Sequence, residues 1–214
     1  MRNTGRAQPV IGSSRDTDRV AGKPVLSLHL VHRHHHSSKS LRRENQRPLP
    51  PAPLKSDVVL ITSERSDFNN INAVDGQPSV LRGGVGIGVN NVTGIRILGV
   101  PSYRNPEMPA SDGMSLFFTW TMDGMRFCFA GVPTRPLDAE QISQIGTVDV
   151  LLFNPEALSP ESRSQIIAQL HPRLVIPIGS RGWTTGGVHA AQGPKFAFTR
   201  EMLPQQTTTL IFNP

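Results

Sequence analysis

The chain is short of the features that most often announce a function. Of its 214 residues one is cysteine, Cys128, so no internal disulfide and no cysteine-based zinc knuckle is possible. That usage fits a reducing cytosol, and a cytoplasmic location is the expectation. No apolar run approaches the ~18 residues of a transmembrane helix. Pro24–Val31 is too short for the apolar core of a secretory signal and ends among histidines. Charged residues make up 18% and hydrophobic residues 37%. Aromatics are absent from the first 67 residues; Phe68 is the first. A segment without Phe, Tyr or Trp lacks the side chains that dominate core burial.

The charge is as uneven as the aromatics. The net charge is +6 and the pI about 10.4, a balance that invites a nucleic-acid reading. Residues 1–55 hold 11 Lys and Arg against 3 Asp and Glu, leaving 11 against 13 for the remainder. A tail of +8 therefore precedes a body of −2. The tail also carries Ser13-Ser14, Ser37-Ser38, Arg42-Arg43 and the run Pro48-Leu49-Pro50-Pro51-Ala52-Pro53. This composition does not offset the entropy of ordering. The expectation is a largely disordered basic tail and Pro-rich linker over 1–53, with strand-like content only in Val25–Val31, and one folded domain over 54–214.

From Lys55 the pattern is that of an α/β protein with a mixed sheet. Asp57–Ile61 is nearly all apolar, the mark of a strand buried on both faces. Val80-Leu81 and Ile95–Val100 are further strands between glycines. Ser115–Met122 and Met125–Ala130 flank Asp123-Gly124, a pair that tolerates the positive φ of a tight hairpin turn. Asp138 caps a helix that stops at Gly146, and Ser159-Pro160-Glu161 opens a second that runs to Leu170. Val148–Phe153, Leu174–Ile178 and Thr208–Phe212 complete the strands. No internal repeat is visible.

Against this background "SDVVLITSERSDFNN" (residues 56–70) resembles the metallo-β-lactamase fold hydrolases, in the branch related to the ascorbate-phosphate lactonases. There the same buried strand runs into Thr/Ser-His-x-His-x-Asp-His. The resemblance continues in order through "GGVGIGVNNVTGIRILGVPSYRN", "FFTWTMDGMRFCFAGVP" and "IGTVDVLLFNPEALSPESRSQIIAQLHPRLVIPIGS", and covers about residues 50–182. It implies an αββα sandwich with mixed sheets and a metal site at the strand ends. It also implies a first strand with a Leu-Gly-His type motif and a hairpin ending near Asp-Pro. Residues 1–50 match neither, so the first strands are expected to be missing. Either the region has diverged, or it is read from another frame or start. An edge exposed this way would need a protein partner, a second copy or the tail to cover it.

In the family, histidines and acids hold one or two metals, usually zinc, which lower the pKa of a bound water. Read onto this chain, the ligand positions are Ser63, Arg65, Asp67, Phe68, Arg104, Val132 and Gly179. Asp67 alone keeps a usual ligand. Phe68, Val132 and Gly179 offer no donor, and Ser63 is a poor neutral one. Arg65 and Arg104 bring charge that cannot be titrated away. At an effective dielectric of ~20, unit charges ~4 Å apart repel by roughly 4 kcal/mol, and a dication doubles this. The expectation is a domain without the family's zinc or any other cofactor, with no catalytic residues, acting as a binding or scaffold protein. The enzyme alternative is a lactone or phosphoester hydrolase with a non-standard site, using Asp67 as base and Arg65 and Arg104 as oxyanion clamps. The third class is tail-mediated binding to nucleic acid or an acidic surface.

Other residues carry readings of their own. Arg65, Asp67 and Arg104, with Glu64 beside them, are read as an ion-pair filling or as a cleft for an anion. His29, His32, His34, His35 and His36 put five imidazoles within eight residues, a flexible tract with adventitious metal affinity. Cys128, between Phe127 and Phe129, reads as a small core residue. His171 sits where a cation suits a helix C-terminus. His189 lies in the Gly/Thr-rich segment Gly182–Gly193, read as a loop. Gly83, Gly84, Gly86 and Gly88 lack the lysine and following helix of a phosphate loop, and read as tight turns.

Overall fold

The structure is a computed structural model and describes residues 7–12, 27–32, 54–64, 71, 74–103, 114–155, 158–178, 183–192 and 198–213. Its centre is an eight-stranded mixed sheet. The strands are β7 (Gly88–Val92), β8 (Ile95–Tyr103), β9 (Met114–Met122), β10 (Met125–Phe129), β11 (Val150–Phe153), β12 (Leu174–Pro177), β13 (Gly187–Gln192) and β14 (Thr208–Asn213). Their spatial order is β13-β14-β12-β11-β10-β9-β8-β7. The half from β7 to β10 is antiparallel and the half from β10 to β13 is parallel.

Sequence explains the change of direction. Thr93-Gly94 and Asp123-Gly124 supply two-residue turns with positive φ, which return the chain as hairpins. After β10 the chain instead crosses over through helices, and crossovers produce parallel strands. Helix α1 (Ala139–Ile145) starts with a full capping box, in which the Asp138 carboxylate accepts from Gln141 N–H and the Gln141 side chain accepts from Asp138 N–H. Helix α2 (Pro160–Leu170) has Ser159 as its cap and proline in its first turn. It ends at His171, which takes the left-handed conformation and donates its N–H to Ile167 O. Both helix boundaries and the hairpin agree with the sequence-based expectation.

Two short parallel pairs accompany the main sheet: β3 (Leu54–Lys55) with β5 (Val74–Asp75), and β4 (Val58–Leu60) with β6 (Ser79–Leu81). The period-2 alternation of each strand sorts the core into layers. Leu116, Phe118, Trp120, Phe127, Phe129, Val150 and Leu152 face Val58, Leu60 and Leu81 of the small sheet. Phe117, Cys128, Leu151 and Phe153 face the other way, against Ile145, Ile166 and Leu170 of the helices. Val59 and Ile61 point outward from the small sheet to Ile71, Val74 and Val80. β4 is thus covered on both faces, as its unbroken apolar run requires. The stack of helices, large sheet and small sheet is the layered mixed-sheet α/β architecture expected.

Two features differ from expectation. β1 (Ala7–Gly12) and β2 (Ser27–His32) form an antiparallel pair within the stretch read as tail, and β1 approaches β4. Strand content at Ser27–His32 was expected, whereas Ala7–Gly12 was not. Its Val10-Ile11 is too short an apolar pair to stand out, and its partner lies 15 residues or more away in sequence. Gly187–Gln192 is a strand rather than a loop: Thr185 exchanges two 2.7 Å hydrogen bonds with Thr209 Oγ1, which sets β13 alongside β14. The glycines after Arg82 form a tight turn as expected, a 3₁₀ turn over Gly83–Gly86 that leads straight into β7. The turn packs so closely that a Cβ on Gly99 would stand 1.8 Å from Gly86 O.

Candidate functional site at the strand ends

The ends of β4, β10, β11 and β12 meet in one row of hydrogen bonds. Leu116 N–H donates to Thr62 O at 2.8 Å, and Ser63 forms an antiparallel bridge with Ser115. Ala130 N–H donates to Leu152 O at 2.9 Å, Asn154 N–H to Gly131 O at 3.0 Å, and Ile178 N–H to Phe153 O at 2.8 Å. These links continue the sheets one or two residues beyond their formal ends. They bring Thr62, Ser63, Gly131, Val132, Asn154 and Ile178 to the same margin of the fold.

Gly131 sets the geometry of that margin. Its φ is +55°, and a Cβ there would lie 2.3 Å from Thr62 Oγ1 and 2.5 Å from Thr62 Cβ. Only glycine allows β10 to turn out of the sheet against the end of β4. Val132 follows at 9% exposure, a packed hydrocarbon side chain with no donor atom. On the opposite wall, Thr62 is 2% exposed, and neither its Oγ1 nor Ser115 Oγ has a hydrogen-bond partner among the described residues. A buried hydroxyl left unpaired costs about 1–3 kcal/mol, so two in one place are a feature to be accounted for. Sequence reasoning missed both, since a lone Thr or Ser carries no signal of burial.

At the mouth, Glu64 and Arg82 form a two-pronged ion pair: Arg82 Nε donates to Glu64 Oε1 at 2.9 Å and Arg82 Nη2 donates to Oε2. Bonding to the Glu64 carboxylate raises the Arg82 pKa further, outweighing the desolvation that opposes it. With the side chains 41% and 24% exposed, the pair contributes at most ~1 kcal/mol. Its larger effect is to tie the segment after β4 to the end of β6. Phe153 meets Trp183 edge-on at 5.7 Å behind the same margin.

Of the seven sequence-derived positions, Ser63 and Val132 are described and stand on this margin together. Arg65, Asp67, Phe68, Arg104 and Gly179 lie outside the described residues, as does the expected meeting of Arg65, Asp67 and Arg104. Among the described residues, no three His, Cys, Asp or Glu side chains converge as a metal-binding group. Cys128 is fully buried in the helix-side core, and burial pushes its thiol up to about 12. His189 is exposed on β13, the end strand of the large sheet. No helix among the described residues is long and apolar enough to cross a membrane.

Comparison with known proteins settles the family. The model of the beta-lactamase superfamily domain matches residues 29–179. The chain belongs to that superfamily. The match starts at His29, upstream of the limit expected near residue 50, and so takes in most of β2. Among solved structures, the chain is similar to a protein from Thermotoga maritima assigned to the Zn-dependent hydrolases of the metallo-beta-lactamase superfamily. Identity is 18% and the TM-score 0.57, over 78% of this chain and 88% of that one. It is also similar to an isothiocyanate hydrolase from Delia radicum gut bacteria, at 12% identity and TM-score 0.49 over 82% and 85%. At 18% identity the likeness to the Thermotoga maritima protein establishes the fold alone. No curated protein matches at a significant level.

Proposed function

We propose that this chain is a non-catalytic member of the superfamily, a binding or scaffold protein that does not hold the family's zinc. The observation that carries the reading is Val132. It occupies the end of β10, where the resemblance calls for an acidic ligand, and it is packed at 9% exposure. A hydrocarbon cannot coordinate zinc, and a packed one leaves no room for a rotated carboxylate substitute. Ser63, the other described ligand position, carries a neutral hydroxyl, and its backbone pairs with that of Ser115. The donor set therefore does not fit zinc, and these residues give metal-assisted hydrolysis no support. The identities of Arg65, Phe68, Arg104 and Gly179 add two fixed cations and two positions without donors.

The test is the zinc content of the full chain, measured after incubation with zinc and dialysis. It is run beside a variant with His34, His35 and His36 replaced by Ser, so that adventitious affinity of the histidine tract is not counted as the family's site. The expected result is no zinc retained by the variant. Stoichiometric zinc held tightly by the variant would overturn the proposal. The hydrolase alternative keeps the support of family membership. Lactone or phosphodiester turnover lost on Asp67→Ala would establish it instead.

A further inference from the structure

The large sheet ends at β7, and no strand among the described residues pairs with its outer side. Which backbone groups face outward follows from the register. Val92 and Ile95 close a two-residue turn, so they exchange both hydrogen bonds, as do Asn90 with Ile97 and Gly88 with Gly99. Val89 and Asn91 are the residues of the alternate pairs. Their N–H and C=O groups therefore point away from β8, four ladder groups in a row with no strand partner among the described residues. The side chains of the same two residues are exposed, with Val89 at 50%.

The surroundings make this edge sticky. Val85, Ile87 and Val89 are 72%, 41% and 50% exposed, and they supply three of the five large hydrophobics exposed among the described residues. Gly83 to Ile95 contains no charged residue and no proline. Lys, Pro and bulges are the usual means by which an open edge is kept from pairing, and this edge has none of them.

We infer that β7 is the docking edge for a second copy of this chain, pairing antiparallel about a two-fold axis through Asn90. In that register Val89 of one copy faces Asn91 of the other, and Asn91 faces Val89. All four outward groups then find partners, and Asn90 meets its own copy at a non-hydrogen-bonded position. The charges agree with the choice of occupant. β7 itself carries no charged residue, and the nearest cation in the sheet, Arg96, lies on β8 beside Asn91, on the side of β7 away from the other copy, so the two edges oppose no like charges. An uncharged strip matches an identical uncharged strip better than it matches a charged partner. The result is a sheet of sixteen strands continuous across two copies, each contributing eight.

The experiment is sedimentation equilibrium of the full chain across a dilution series, with Val89→Lys and, on the opposite sheet edge, Val188→Lys as control. Val188 is 54% exposed on β13, so neither substitution disturbs the core, and circular dichroism checks the fold of both. The expected result is a dimer for the wild type and Val188→Lys, and a monomer for Val89→Lys. A monomeric wild type at the highest concentration, a dimer unaffected by Val89→Lys, or a dimer abolished by Val188→Lys would each overturn the assignment.

Discussion

Gly131→Ala tests whether the margin of the sheets is as tightly built as its geometry indicates. Two separable penalties are expected. Alanine at φ +55° costs roughly 1–2 kcal/mol, because Cβ crowds the following carbonyl. The added methyl also overlaps Thr62, whose Oγ1, Cβ and Cγ2 lie 2.3, 2.5 and 2.8 Å from it. Overpacking of this kind costs about 1–3 kcal/mol. The combined loss is therefore about 2–5 kcal/mol, a large part of the stability of a typical domain. Urea unfolding followed by tryptophan fluorescence measures it directly. The two penalties are separated by repeating the substitution in a Thr62→Gly background, where the overlap is gone and the φ penalty remains. There Gly131→Ala should cost only about 1–2 kcal/mol, which gives a coupling of about 1–3 kcal/mol between the sites. A loss under ~0.5 kcal/mol, or the same loss in both backgrounds, would refute the reasoning.

Two further outcomes are expected. Burial raises the Cys128 thiol from 9.0 to about 12, so it should resist thiol reagents at mildly alkaline pH until the protein unfolds. The sign for stability follows: between those values the unfolded thiol loses its proton while the folded one keeps it. Stability should fall by about 1.4 kcal/mol per pH unit as pH rises through this window, relative to Cys128→Val. An equal slope in both proteins would contradict it. Val132→Asp places a carboxylate at a packed position and should destabilise by about 2–4 kcal/mol, less as pH falls and the group stays protonated. Added zinc should not restore the melting temperature; full restoration by zinc would show that a ligand set survives.

How much of this was legible in the sequence depended on the range of the interaction involved. Asp138 and Ser159 announce their helices because a cap and its N–H partner are three residues apart. Asp123-Gly124 announces its hairpin because the turn requires positive φ locally. β13 was illegible because it is a strand by virtue of Thr209, 24 residues from the Thr185 it bonds. The strand at Ala7–Gly12 was hidden for the same reason, since its pairing with Ser27–His32 is what defines it. The candidate site divides in the same way. Ser63 and Val132 were found as positions in a family motif, whereas Thr62 and Ser115 become notable only once folding buries their hydroxyls.

If the proposed reading holds, the same division explains how the fold keeps its packing without the family's ligands. The core of this domain is built from alternate residues along β8 to β12, and none of the seven ligand positions lies within those strands. Of the two described positions, Ser63 is no part of the buried core, whereas Val132 packs at its margin. A partial loss is the unfavourable state, because a buried acid with no metal or cation beside it carries an unpaired charge. Replacing that acid by valine removes the penalty and adds burial of ~1.5–3 kcal/mol. On the proposed reading, the substitution at Val132 is what stability favours once the neighbouring histidines are gone. The same logic does not reach β7. Val89 on β7, with Val85 and Ile87 just before it, is exposed and outside the buried core, so stability of the single chain gives no reason for these side chains, and the inferred pairing of two copies would.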